Sequence, residues 1–163
     1  MRGTSVGLCF AMLAGGPVGA LSCMAPNAAR TFNELAEAEA TYYVGIGAFT
    51  APSAVPELPK GQSGSARMYF EGELFSRLET VPYAGSVGVT VECAAVWCAS
   101  FPERNQDLLV FLEAGADRSM TLTEGPCPFR VLPVPTQEQR GALFDCMKEH
   151  RCGPDQITAF ERE

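Results

Sequence analysis

The stretch DLLVFLEAGADRSMTLTE, residues 107–124, contains two predicted strands and the turn that joins them. Residues 107–114 form an almost unbroken apolar run, which predicts a strand buried on both faces. Residues 119–124 alternate apolar and polar side chains, and the small residues of 114–117 predict a tight turn between the two strands. The stretch therefore predicts an antiparallel pair in which the first strand must be covered on both faces.

Three more strands are predicted on the N-terminal side of this pair. Residues 86–93 alternate valines with polar or small residues, and residues 66–79 alternate apolar side chains with charged ones. Residues 40–50 are rich in β-branched and aromatic residues. Gly45 and Gly47 interrupt that strand, which predicts a bulge or a sharp bend of the kind that small barrels need.

A short helix is predicted at each end of the strand series. Residues 31–40 are strong helix formers, with Thr31 or Asn33 as the cap. Residues 136–150 open with a capping-box pattern and place apolar side chains at three- and four-residue spacing on one inner face, which includes Leu143, Cys146, Met147 and His150. No element is predicted after Cys152–Pro154. Five strands with these helices predict a mainly β fold, a small closed or partly open barrel.

The first 20 residues have the pattern of a secretory signal. Arg2 supplies the positive charge, residues 6–13 the short apolar core, and residues 18–20 the small side chains before a cut after Ala20. The apolar run is too short to span about 30 Å of hydrocarbon. We expect residues 21–163 to form one exported domain, periplasmic or extracellular. Lipidation of Cys23 is disfavoured, because the residues before it fit a lipobox poorly.

Six cysteines remain after the signal is removed: Cys23, Cys93, Cys98, Cys127, Cys146 and Cys152. An even number in a small exported chain predicts disulfides, here up to three, although six cysteines allow 15 pairings. The 93–98 and 146–152 segments are both short loops that a bridge can close. Structural zinc sites favour shorter spacings in matched pairs, so no metal and no cofactor are expected.

The charge balance and the single histidine argue against several functions. Only Arg2 of the 12 basic and 19 acidic residues lies in the signal, which leaves a net charge of −8 and disfavours nucleic acid as a partner. No second apolar stretch predicts a membrane span. His150 is read as a helix-terminal side chain near the last carbonyls, and no nucleophile motif or Cys-x-x-Cys pair is present. We therefore expect no enzymatic activity.

The order of motifs resembles that of the netrin-like modules, whose best-known members are the tissue inhibitors of metalloproteases. The motifs are Cys-x-x-Pro at Cys23–Pro26, a short helix, EAEATYYVGIGAF at residues 37–49, a central cysteine, the 107–114 strand and Cys127. The resemblance is stronger still to secreted bacterial proteins of that type, and it covers residues 23–130. It implies a five-stranded OB barrel with the N-terminal segment attached to it by disulfides.

The resemblance also implies a disulfide pairing and a surface. It implies Cys23–Cys127, and it makes Cys98 the central cysteine, for which Cys93 is the substitute partner because the usual one is absent. In the inhibitors the N-terminal segment and the central-cysteine loop lie side by side, so the corresponding binding residues here are Met24, Ala25, Pro26, Trp97 and Phe101. The alternative interpretation of Trp97 is that it fills one end of the barrel.

These observations predict an exported, disulfide-stabilised binding module that is not an enzyme and whose ligand is unknown. Its expected partner is another extracytoplasmic protein. One alternative is a protease inhibitor with altered chelation, since Leu21 and Ser22 would precede Cys23 and remove the N-terminal cysteine amine that the family's inhibitors use. A structural protein of the cell envelope is the other alternative.

Overall fold

A computed structural model gives the fold of residues 22–50, 55–76 and 78–161. The signal peptide predicted at residues 1–20 lies outside the described residues. The strands are β1 (Thr41–Thr50), β2 (Gly64–Phe75), β3 (Thr80–Val91), β4 (Cys93–Ala94), β5 (Trp97–Cys98), β6 (Asp107–Ala114), β7 (Met120–Glu124) and β8 (Val131–Leu132). The helices are α1 (Ala28–Ala36), α2 (Gln137–Glu149) and α3 (Pro154–Ala159).

Five strands close into a barrel in the order β1-β2-β3-β7-β6, with β6 pairing back onto β1. All of these pairs are antiparallel except β3 with β7, which run parallel. β8 extends the sheet beside β6, and β4 and β5 form a separate small hairpin. The prediction of a mainly β, OB-like five-stranded barrel with helices near both chain ends is confirmed.

Strand β6 lies between two apolar cores, which explains its continuous run of apolar residues. Leu108, Val110 and Leu112 belong to the core inside the barrel, whereas Leu109 and Phe111 belong to the core on its outer face. Because successive strand residues point to opposite faces, a strand that separates two cores has to be apolar at nearly every position. The helices cover the outer core.

The glycines of β1 permit close packing and do not form a bulge. The register of β1 against β2 is unbroken from Gly45 to Thr50, and Gly47 lies directly opposite Gly72. A Cβ atom added to Gly47 would collide with the Glu71 carbonyl oxygen. Of the two predicted alternatives, the bulge is therefore wrong, and the glycine pair lets the two backbones approach closely.

Strand β3 begins six residues before the predicted residue 86, and β2 runs over 64–75 where 66–79 was predicted. Pro82 concealed the early part of β3 in the sequence. It pairs with Glu73 on one side, but β7 pairs only with residues 87–91 of β3. A proline is tolerated there because no neighbour on its second side needs its missing N–H.

Helix α1 starts three residues before the predicted residue 31, and its cap is Asn27. The Asn27 side chain accepts hydrogen bonds from the backbone N–H groups of Ala29 and Arg30, both at 3.1 Å. The caps predicted at Thr31 and Asn33 are therefore wrong. The helix predicted over 136–150 is confirmed as α2, including the Thr136–Gln139 capping box.

Helix α3 was not predicted, and it packs with the other two helices. Asn27 donates a hydrogen bond to the Ile157 carbonyl at 3.1 Å, and Gln139 donates one to the Ala159 carbonyl at 3.2 Å. The predicted Cys146–Cys152 bridge is confirmed and is buried at the centre of this layer. His150 caps α2 in a left-handed conformation and is exposed, so its prediction as an inner-face residue is wrong.

Candidate binding surface

The N-terminal segment is fixed to the barrel by the Cys23–Cys127 disulfide, with a Cα–Cα distance of 5.3 Å. This is the pairing that the family resemblance implied. Residues 24–27 and 127–129 line a small cleft of about 140 Å³, and Met24 is 75% exposed beside it. Met24, Ala25 and Pro26, the predicted binding residues of this segment, therefore lie at an accessible edge.

The β4–β5 hairpin is closed by the Cys93–Cys98 disulfide, as predicted. The two cysteines lie directly opposite each other in the hairpin register. The Ser63 hydroxyl accepts a hydrogen bond from the Cys93 backbone N–H at 3.1 Å, which anchors the hairpin to the loop before β2. The short cycle restricts the backbone to few conformations.

The tip of this hairpin presents two large apolar side chains to solvent. Val96 is 61% exposed and Trp97 is 54% exposed. The interpretation that Trp97 fills one end of the barrel is therefore wrong. Phe101 packs against the interior core instead, and it is partly buried. Of the two aromatic residues predicted for the binding surface, only Trp97 is exposed, and Phe101 belongs to the packing of the interior core.

A proline-rich segment, residues 125–133, connects these two places, and we call it the proline strap. Pro128 lines both the cleft beside Met24 and a larger groove of about 410 Å³. The other wall of that groove is formed by residues 98–103, which continue directly from the Trp97 hairpin. The predicted N-terminal segment and the central-cysteine loop thus lie on either side of the strap.

Glu124 holds the strap in place, and sequence reasoning missed it. It is the last residue of β7 and is only 2% exposed. Its carboxylate accepts the backbone N–H of Arg130 at 2.7 Å and that of Phe129 at 3.3 Å. These two hydrogen bonds connect the end of β7 to the residues just before β8, because the two strands do not pair with each other.

Burial raises the pKa of the Glu124 carboxyl from 4.5 to about 7. The hydrogen bonds from the backbone N–H groups of the strap and the positive charge of Arg130 oppose this effect, but they do not cancel it. A carboxyl with this pKa changes its charge near neutral pH.

Arg130 attaches the strap to β1. Its guanidinium lies over the rings of Tyr42 and Phe129, at 5.2 and 5.3 Å from their centroids. It donates hydrogen bonds to the Thr123 carbonyl and to the Tyr42 hydroxyl, both at 3.3 Å. The Tyr42 hydroxyl in turn donates to the Glu113 carboxylate at 3.1 Å. Arg130 was not singled out from the sequence, because its role depends on contacts far along the chain.

Two further properties of the described residues bear on function. Within residues 22–50, 55–76 and 78–161, no three His, Cys, Asp or Glu side chains are grouped so that they could hold a metal ion. In the same part of the chain, no helix is both long and apolar enough to cross a bilayer. The three disulfides fit a protein that lies outside the cytoplasm.

No protein-family model, no curated protein and no solved structure matches the chain.

Proposed function

We propose that this protein is an exported binding module of the netrin-like type, with no catalytic activity, whose partner is another extracytoplasmic protein. The proposed contact surface is the tip of the Cys93–Cys98 hairpin together with the Met24–Pro26 edge. The observation that carries the proposal is the exposure of Val96 and Trp97 on a hairpin that a disulfide closes.

The energetics of the hairpin support this proposal. Exposed tryptophan and valine side chains contribute little to the stability of the barrel, since they remain in water. A tryptophan on a constrained loop loses little conformational entropy when a partner covers it, and tryptophans are over-represented among residues that dominate binding energy. The hairpin tip therefore has the properties of a protein-binding anchor.

Replacement of Trp97 by alanine tests the proposal. The oxidised exported protein, immobilised as bait, should retain one or more specific partners from an extracytoplasmic extract of its host, and Trp97→Ala should lose them. Tyr43→Ala is the matched control, because Tyr43 is 40% exposed and lies on the barrel wall near the opposite end. The intact mass of the bait should begin at Leu21 and lie six hydrogens below the reduced value.

Retention of every partner by Trp97→Ala would show that the hairpin is not the contact surface. Equal losses with Trp97→Ala and Tyr43→Ala would show that the retained proteins adhere to any exposed aromatic residue. Loss with Trp97→Ala alone, with an unchanged thermal midpoint, is the expected result.

A further inference from the structure

The groove under the proline strap combines apolar walls with acidic groups. Its walls include Phe101, Pro102 and Leu108 on one side and Pro126, Val131 and Pro133 on the other. The only charged residues among those that line it are Glu103 and Glu124. The groove is therefore mostly apolar, and its two charged side chains are both carboxylates. No basic side chain lines the groove to balance them.

The charged groups around Glu124 do not neutralise the acidic side chains of the groove. The positive charge of Arg130 acts on Glu124, but its guanidinium donates to the Thr123 carbonyl and the Tyr42 hydroxyl, and it does not line the groove. Glu92, whose backbone N–H donates to the Glu124 carbonyl, is also acidic, but its exposed side chain does not line the groove. The whole chain carries a net charge of −7, which favours the approach of a positively charged partner.

We propose that this groove binds a lysine side chain from an exposed segment of the protein partner, with the methylene stem along the prolines and Phe101 and the ammonium at Glu103 and Glu124. This inference rests on the proposed function, because it names the chemistry of the partner. Long basic side chains bury their stems against apolar surface while the charged end keeps polar contacts.

Lysine fits better than arginine because of the hydrogen bonds that Glu124 already makes. Each of its carboxylate oxygens accepts one backbone N–H from the strap. The paired, fork-like contact that an arginine makes with a carboxylate needs both oxygens from one side. A compact ammonium needs only one remaining lone pair and takes its other contacts from Glu103 or water.

The affinity for lysine should rise with pH. The Glu124 carboxyl has a pKa of about 7 in the folded protein, so it is largely neutral at pH 5.5 and largely charged at pH 8. The lysine ammonium stays charged over this range. A cation in the groove is therefore bound more tightly as Glu124 loses its proton.

The test is a titration with a capped pentapeptide, Ala-Leu-Lys-Leu-Ala, and the same peptide with Nε-acetyl-lysine or arginine. Calorimetry at pH 5.5 and pH 8 gives affinities, and amide shifts of Leu108 and Val131 report the groove. The lysine peptide should bind at least about tenfold more tightly than the acetyl-lysine peptide at pH 8. Its advantage should shrink at pH 5.5, and the arginine peptide should bind more weakly than the lysine peptide.

Three variants complete the test. Glu103→Gln should weaken lysine binding several-fold, and Glu124→Gln should remove its pH dependence. Glu71→Gln, an exposed carboxyl on β2 away from the groove, should change neither. Because Glu124→Gln also changes the hydrogen bonds that hold the strap, Glu103→Gln and the acetyl-lysine comparison are the decisive arms.

Equal affinities for the lysine and acetyl-lysine peptides, or no binding of either, would overturn the proposal. Arginine binding equal to lysine binding would overturn the choice of lysine. The outcome is separable from the hairpin test: if the lysine peptide binds while Trp97→Ala keeps all its partners, the hairpin proposal fails and the groove proposal stands.

Discussion

The outer surface of the barrel is covered in two different ways. On one side three helices pack Leu35 and Leu143 against the outward-facing residues of β1 and β6, and a buried disulfide lies among the helices. Beside the helices, the proline strap contributes Phe129 and Leu132 to the same outer core, and it is also held by the Cys23–Cys127 bridge, Arg130 and the Glu124 carboxylate. The helices are held mainly by apolar contacts, whereas the strap adds a disulfide and individual polar contacts to its apolar ones.

This difference indicates which part of the molecule responds most to the loss of a single contact. The helix layer tolerates the loss of any one polar contact, because apolar burial is shared among many side chains. The strap depends in addition on individual groups, among them the Glu124 carboxylate and the Cys23–Cys127 bridge. The strap also lines the groove, so a change of pH that alters the charge of Glu124 acts on the part of the molecule that we propose for binding.

Removal of the Cys23–Cys127 bridge should have the largest effect. The bridge closes a loop with a sequence separation of 104, and the loop-entropy model gives a stabilisation of about 4–5 kcal/mol for a loop of this length. The double variant Cys23→Ala/Cys127→Ala should lose this amount of unfolding free energy in urea titrations.

The Cys93→Ala/Cys98→Ala pair is the control, with a sequence separation of 5 and an expected loss of about 2 kcal/mol. Equal losses from the two pairs would contradict the idea that the strap depends on the long bridge.

In the helix layer, Leu143→Ala should destabilise the protein. Leu143 is completely buried in the outer core, and deletion of a buried leucine side chain typically costs about 3 kcal/mol. Chemical denaturation should show this loss, and the amide shifts of Phe129 and Leu132 should change, because both residues pack in the same core as Leu143.

Leu78→Ala is the matched control, because Leu78 is almost fully exposed and its loss should cost less than about 0.5 kcal/mol. Strap amide shifts that Leu143→Ala leaves unchanged would show that the strap does not depend on the core it shares with the helices.

A pH titration should give a smaller effect, on the strap side. Because burial raises the Glu124 pKa to about 7, the folded protein binds this proton more tightly than the unfolded chain does. The stabilisation is complete below about pH 4.5 and is lost as the pH rises through about 7, a change of about 2–3 kcal/mol in unfolding free energy.

Thermal and urea unfolding between pH 5 and pH 8 should show this fall in the wild type. The curve of Glu124→Gln should be flatter, and that of Glu71→Gln should follow the wild type. A wild-type stability that rises over this range would show that Glu124 is better stabilised as a charged group than its burial indicates.

Features encoded in local sequence could be predicted. The β6 run, the alternation of β7 and the Thr136–Gln139 cap each depend on residues close together in the chain, and all three occur as expected. The bridges at 93–98 and 146–152 are local as well. Cys23–Cys127 is not local, and it was inferred only through the order of motifs shared with a known family.

Features that depend on distant contacts could not be predicted. Helix α3 has six residues, too few to be stable alone, and Asn27 and Gln139 hold it from other helices. Glu124 ends an alternating strand, where a carboxylate is normally in water, and only the return of the strap buries it. The sequence left two interpretations of Trp97 open, a binding residue or a side chain that fills one end of the barrel. In the structure it lies exposed on the short hairpin that the Cys93–Cys98 disulfide closes.

The unequal spans of the disulfides also affect the order in which the chain can acquire them. Cys23 is synthesised first, and its partner follows 104 residues later. During that interval Cys93 and Cys98 become available as wrong partners. Because short loops close far more readily than long ones, these two can bond to each other soon after they appear. The small hairpin that presents Trp97 would then also remove two competing thiols, which leaves Cys23 free until Cys127 arrives.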